Sequence, residues 1–174
     1  MVGRPGVALV RAGRDSRYYD DVVSSTIIYL DMCTLKRPFD DARSERIRRE
    51  AEAVARIFEK VQDGSVRLVA SPAHHFENAR NPREDRRLAT DLWLQEADRS
   101  VETTPDTEER ARQLAGLGFG SLDALHLALA EKAEADWFVT TDDQLLKTAD
   151  RQRKSLHINV VKPDELALDE VEEQ

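Results

Sequence analysis

Four acids spread along the chain, Asp31, Glu77, Asp123 and Asp142, are the side chains from which chemistry could come. Asp31 and Asp142 each sit at the end of a short run of strand character, TIIYL and WFVTT, while Glu77 and Asp123 fall early in segments with helical spacing. If the four converge, they offer oxygen donors only. Carboxylate and water ligands suit Mg²⁺ or Mn²⁺, whereas zinc would recruit His or Cys. Repulsion is the reason to expect a cation, since two carboxylates ~4 Å apart oppose each other by about 4 kcal/mol at a surface-like dielectric. A divalent ion relieves this at neutral pH and can lower the pKa of a bound water; a pair of ions can steady both oxygens of an in-line displacement on phosphorus. The reaction implied is phosphodiester hydrolysis. Taken singly, each acid has a plainer role: Asp31 as a loop start, Glu77 as a solvated helix residue, Asp123 as a favourable charge near a helix N-terminus, Asp142 with Asp143 as a cap. Their joint position carries the reading.

That position depends on the elements between them. Residues 26–30 read as a buried strand, and Ser44 with Glu45 opens a helix whose apolar residues Ile47, Ala51, Val54, Ala55, Phe58 and Val61 share one face before Asp63 and Gly64 close it. Residues 66–70 read as a second strand, and Ser71 with Pro72 starts a helix that carries Glu77. Asn81 with Pro82 repeats that start signal, ahead of a helix with Leu88, Leu92 and Trp93 on its apolar side. A short strand is expected at residues 101–103, a helix capped at Thr104 and Pro105, and a tight turn among Gly116, Gly118 and Gly120. Ser121 then caps LDALHLALAEKAEA, apolar nearly all round and therefore central. Strands at 137–141 and 158–161 flank a helix at 143–152. This β-α-β-αα-β-αα-β-α-β order predicts an α/β domain with a mainly parallel sheet covered on both faces. In such sheets ligands bind beyond the strands' carboxyl ends.

At 174 residues the chain fits one domain, with residues 1–25 read as a poorly ordered extension, 26–167 as the folded unit and 168–174 as an acidic tail. A single cysteine, Cys33, excludes an intramolecular disulfide and a thiolate-rich zinc site and fits a reducing cytoplasm. No apolar run approaches a membrane span and no secretory segment is evident, so a cytoplasmic protein is expected. The net charge of -8 argues against a polyanion partner at first sight, but the ending DELALDEVEEQ alone carries six acids and no base.

The strings TIIYLDMCTLKRPFDD, SPAHHFENARNP, SLDALHLALAEKAEADWFVTTDDQLL and the T-x-D within the last resemble, in order and spacing across residues 26–163, the four acid-bearing segments of PIN-domain proteins. The resemblance implies a PIN-like three-layer α/β/α fold and a metal-dependent ribonuclease, among whose relatives are VapC-like toxins of bacterial toxin–antitoxin pairs. It makes Asp31, Glu77, Asp123 and Asp142 the metal-binding acids and Thr140 a support for the last; Asp143, His126 and Cys33 are further candidates for supporting the site. RNA as substrate, a cognate antitoxin as partner and a homodimer are what it implies further. One departure is Cys33, where many PIN proteins have Asn, Ser or Thr; a thiol is the weaker hydrogen-bond partner.

Among secondary candidates, His126 follows Asp123 by three positions and could meet phosphate or orient the acid; a hydrogen-bonded core histidine is the alternative. His74, His75 and His126 invite a general-base reading, a function that the metal can supply instead. Lys36, Arg37, Arg80 and Arg83 flank the acids and could meet RNA phosphates, against the default of solvated surface charges. Trp93 and Trp137 read as core. Two rivals remain in view: a non-catalytic RNA- or protein-binding module on the same fold, and a haloacid-dehalogenase-like phosphohydrolase suggested by LDMCTL, against which Cys33 stands where a second aspartate is needed.

Overall fold

The computed structural model describes residues 25–168, so the extension read over 1–25 and the tail read over 168–174 lie outside the described residues except for Ser25 and Leu168. Strand β1 (Thr26–Leu30) is followed by a short helix α1 (Met32–Lys36) and the long α2 (Glu45–Asp63). Then come β2 (Val66–Ala70), α3 (Pro72–Ala79), α4 (Glu84–Gln95), β3 (Arg99–Ser100), α5 (Pro105–Gly116), α6 (Ser121–Lys132), β4 (Trp137–Val139), α7 (Asp143–Arg151) and β5 (Asn159–Val161). The sheet order is β3-β2-β1-β4-β5 and every pairing is parallel. The chain builds outward from β1 to β3 and then returns to the other side of β1, which places the switch of direction between β1 and β4. Crevices at such switch points are where doubly wound sheets bind ligands.

Alternation along the strands divides the core into two layers. Ile28 and Leu30 of β1, with Val66, Leu68 and Val139, pack under α1, α2 and α4. Tyr29, Val69 and Phe138 face the opposite way, onto α5, α6 and α7. Helix α6 is central to that second layer, with Ala124, His126, Leu127, Ala128, Leu129 and Ala130 buried, as its all-round apolar character requires. Helix α2 ends as its composition predicts: Gly64 adopts φ 85°, a conformation that costs a residue with Cβ, and its amide caps Val61.

Some boundaries differ from expectation. The third strand lies at Arg99–Ser100 rather than 101–103, because β2 ends at Ala70 where Ser71 begins capping α3; Val101 can make only a last bond to the Ala70 carbonyl, 3.0 Å. Strand β4 ends at Val139 instead of 141, since the Asp142 amide turns to the Thr140 hydroxyl, 3.1 Å, rather than to a strand neighbour. Helix α4 starts at Glu84, two residues beyond Pro82, with the Asn81 side chain accepting from the Arg83 amide. Gly120, not Ser121, occupies the N-cap of α6. Leu88 and Leu92 do not line the core: they are 59% and 63% exposed, and α4 instead turns Trp93 and Leu94 inward, with Trp93 stacked on Phe58 of α2.

Candidate metal centre

Asp31 leaves β1 at its carboxyl end and is nearly buried, 6% exposed. Its backbone amide still joins the sheet, bonding the Val139 carbonyl of β4 at 2.9 Å. Its carboxylate caps α1 through Oδ1, which accepts from the Met32 amide at 2.7 Å, and Oδ2 accepts from the Thr140 hydroxyl at 2.8 Å. Cys33 Sγ lies 3.1 Å from the same Oδ2 and 3.3 Å from Thr140 Oγ1, and takes the Thr141 amide at 3.4 Å. Burial, and then the charge of Asp31, push the Cys33 thiol up to about 12, so it stays protonated and serves as a donor. Thr140, expected to support Asp142, thus gives its hydroxyl proton to Asp31 and receives the Asp142 amide.

Asp142 follows β4, the strand beside β1. Its Oδ1 caps α7 by accepting from the Gln144 and Leu145 amides at 2.7 and 3.0 Å. Asp123 lies in the first turn of α6, and its Oδ2 would come 3.0 Å from a Cβ placed on Gly120. Among the described residues no hydrogen-bond donor reaches the Asp123 carboxylate. Burial, then the negative charges of Asp31 and Asp142 and more weakly Glu77, raise it to about 6 against an opposing effect of His126. Asp123 is therefore within electrostatic reach of Asp31 and Asp142, which follow the neighbouring strands β1 and β4, and more weakly of Glu77. Among the described residues no three His, Cys, Asp or Glu side chains are grouped as a ready-made ion cage; Asp31 and Asp142 are turned toward the amides they cap.

Glu77, on α3, is held from two sides. Lys36 Nζ of α1 lies 3.2 Å from Oε1, and His126 Nε2 of α6 lies 3.2 Å from Oε2. Burial alone would raise its pKa, but His126 and Lys36 together hold it below the ordinary carboxylate value. Behind His126 runs a buried line of polar groups: Tyr29 Oη 2.6 Å from His126 Nδ1, Ser71 Oγ 2.6 Å from Tyr29, and His74 within 3.3 Å of Ser71. Burial, with His126 beside it, pushes the His74 imidazole down to about 3, which removes it as a general base; His75 is exposed.

The basic candidates divide. Arg37 is turned inward, its Nε 2.8 Å from Glu50 Oε2 but out of line for a hydrogen bond, with Nη1 on Asp40 at 3.0 Å; neutralising an acid only 1% exposed is its place, not a phosphate surface. Lys36 is engaged by Glu77, and Arg83 pairs with Asp85 on the surface. The Arg80 guanidinium lies 3.9 Å from the centre of the Phe76 ring, a cation–π contact. Asp143, expected near the site, is exposed and forms a two-pronged pair with Arg46, at 2.7 and 2.9 Å. Arg46 also holds Glu50 at 2.8 Å and the Thr141 carbonyl at 3.2 Å, so α2 is tied to the loop that carries Asp142. The sequence reading missed this link, although Glu50 lies among Ile47, Ala51 and Val54 on the apolar face of α2, where a lone acid must find partners. A cavity of about 550 Å³ lies elsewhere, lined by Trp137, Leu146, Arg153 and Asn159, and none of the four acids borders it.

A doubly wound parallel domain, with Asp31 and Asp142 following neighbouring strands at the switch point of its sheet, is the class defined by this fold. The family model of the PIN domain matches residues 28–151, and the chain belongs to that family. The crystal structure of FitAcB from Neisseria gonorrhoeae is similar, with a TM-score of 0.51 and 15% identity over 80% of this chain and 99% of that one. The crystal structure of Mycobacterium tuberculosis VapC20, a sarcin-ricin loop cleaving toxin, has a TM-score of 0.47 and 16% identity over 69% of this chain and 93% of that one. At 15% identity the likeness to FitAcB is one of fold. No curated protein matches the chain. Among the described residues no helix is long and apolar enough to cross a membrane.

Proposed function

We propose that this protein is an Mg²⁺- or Mn²⁺-dependent endoribonuclease, the toxin of a type II toxin–antitoxin pair, with a small antitoxin covering the site. The observation that carries the metal reading is Asp123, a half-buried carboxylate that no hydrogen-bond donor reaches among the described residues and whose pKa is raised first by burial and then by the charges of Asp31, Asp142 and, more weakly, Glu77. The residues fit a hard divalent cation: every candidate ligand is a carboxylate, and Asp123 has both oxygens free of donors among the described residues. Bound there, such an ion supplies charge neutralisation and an acidified water for attack on phosphorus. Asp31, Asp123 and Asp142 would hold it, joined by Glu77 from α3. The chain's own contribution is positional. Thr140 and Cys33 direct hydrogen bonds at Asp31 Oδ2, and the Asp142 carboxylate is steadied by the first turn of α7.

RNA as the substrate and the toxin role rest on membership of the PIN family and on the resemblance of the four segments to PIN-domain proteins, among whose relatives are VapC-like toxins. Arg80, exposed at the C-cap of α3, three residues beyond Glu77 and without an acidic partner among the described residues, is the best placed of the basic candidates to meet a phosphate. The test is cleavage of mixed RNA by wild type and Asp123→Asn, with Mn²⁺ or with EDTA. Cleavage that EDTA and the substitution both abolish supports the proposal. Equal, EDTA-resistant cleavage by both proteins refutes the metal mechanism, and RNA binding without any cleavage would favour a binding module on the same fold.

A further inference from the structure

We propose that His126, held by the Tyr29 hydroxyl in the tautomer with its proton on Nε2, is a positioning residue that fixes the Glu77 carboxylate for divalent-metal binding. This rests on Glu77 being one of the metal-binding acids.

The hydrogen bonds run in one direction. The Ser71 backbone N–H, which can only donate, meets His74 Nδ1 at 3.1 Å, so that nitrogen carries no proton. His74 must then hold its proton on Nε2, and that atom lies 2.7 Å from the Leu30 carbonyl, which can only accept. At the other end, His126 Nε2 faces the Glu77 carboxylate at 3.2 Å and must be the donor there. A neutral His126 then has a bare Nδ1, and the Tyr29 hydroxyl 2.6 Å away fills it by donating. Tyr29 Oη is left to accept from the Ser71 hydroxyl, also 2.6 Å away. Every group between the Leu30 carbonyl and Glu77 is satisfied in this arrangement.

Its placement argues for more than a filled core. Tyr29, Ser71, His74 and His126 are each 0% exposed, and burying four polar side chains side by side is unfavourable unless all find partners. The line leaves the core at one point, Glu77, whose two oxygens are gripped separately, Oε1 by Lys36 from α1 and Oε2 by His126 from α6. A carboxylate on a long side chain would otherwise swing among rotamers. The inner end bonds the carbonyl immediately before Asp31, so the same buried line sets the second acid relative to the first. Outer partners that orient a ligand in this way are worth about tenfold or more in metal affinity.

Two measurements test it. In metal-free, ¹⁵N-labelled protein at pH 7.5, long-range ¹H–¹⁵N spectra should show bare Nδ1 and protonated Nε2 for His126; a proton on Nδ1 overturns the proposal. Calorimetric titration with Mn²⁺ should show affinity about tenfold weaker for His126→Leu and Tyr29→Phe, and within about threefold of wild type for His126→Gln, whose amide can both donate to Glu77 and accept from Tyr29. Tyr29→Phe removes a single oxygen and serves if the leucine variant fails to fold. If wild type binds Mn²⁺ and these variants bind it equally well, the positioning role is overturned while the metal reading stands. If wild type takes up no Mn²⁺, the metal reading falls and this role with it.

Discussion

Replacing Asp123 by Asn should make the metal-free protein more stable at neutral pH while removing its affinity for a divalent ion. Asp123 is raised from an ordinary 3.8 to about 6 by burial and by Asp31, Asp142 and Glu77. Between those values the native state holds a proton that the unfolded chain releases, so this group makes stability fall as pH rises from about 4 to about 6. The penalty is absent below about pH 4 and complete above about pH 7. At 1.36 kcal/mol per unit the shift corresponds to ~3 kcal/mol, which partial solvent exposure reduces to about 2 kcal/mol. For a chain of this size that is a rise of about 4 to 8 °C in melting temperature. The assay is thermal or urea unfolding of wild type and Asp123→Asn from pH 4 to pH 8 in EDTA. The difference should open from near zero at pH 4 to its full value by pH 7.5. Millimolar Mn²⁺ should then reverse the order, since an ion at 100 times its Kd stabilises the protein that binds it by about 2.7 kcal/mol. A variant no more stable than wild type at pH 7.5, or a difference that does not change with pH, would refute the electrostatic clustering from which the site is argued.

Glu50 should tolerate loss of either arginine better than loss of both, because only the double change strands a buried charge: Arg37→Ala with Arg46→Ala should cost about 3 to 5 kcal/mol in urea unfolding, more than the two single losses added. Additive losses would show that the two arginines neutralise Glu50 independently. Gly120→Ala, at a φ of -59° that alanine accepts, should change the melting temperature little, yet weaken Mn²⁺ binding about tenfold, because the new Cβ meets Asp123 Oδ2 at 3.0 Å. Unaltered Mn²⁺ affinity there would mean that the carboxylate has room to move. Cys33, with its thiol near 12 against an ordinary 9.0, should react with Ellman's reagent at pH 8 roughly 1,000-fold more slowly in the native protein than in urea. Comparable rates would place the thiol outside the Asp31–Thr140 cluster.

Strands announced themselves where their residues are buried on both faces. TIIYL and VRLVA lie at 26–30 and 66–70 with the boundaries their composition implies, and the caps at Ser71 and Thr104 hold where a hydroxyl precedes proline, while the same signal at Asn81 and Pro82 gives a turn two residues ahead of α4. Edge and terminal residues were less legible, since a strand ends where its neighbour ends, and the neighbour of residues 101–103 is remote in sequence. The same limit separates the acids from their supports. An aspartate after an apolar strand is visible to anyone reading along the chain. Partners such as Thr140 for Asp31, 109 positions apart, or Arg46 for Asp143, 97 apart, come together only through the parallel crossover. Tyr29 shows why such partners hide: in a central strand an aromatic residue is the expected filler of a pleated, half-buried surface. Its hydroxyl is the atom that matters, and nothing local marks it. What could have raised the question is the company it keeps on its own side of the sheet, because Tyr29, His74 and His126 are three polar side chains assigned to segments that must all be buried. Three such groups have to find one another or be unsatisfied, and the common place available to them lies directly behind the acids.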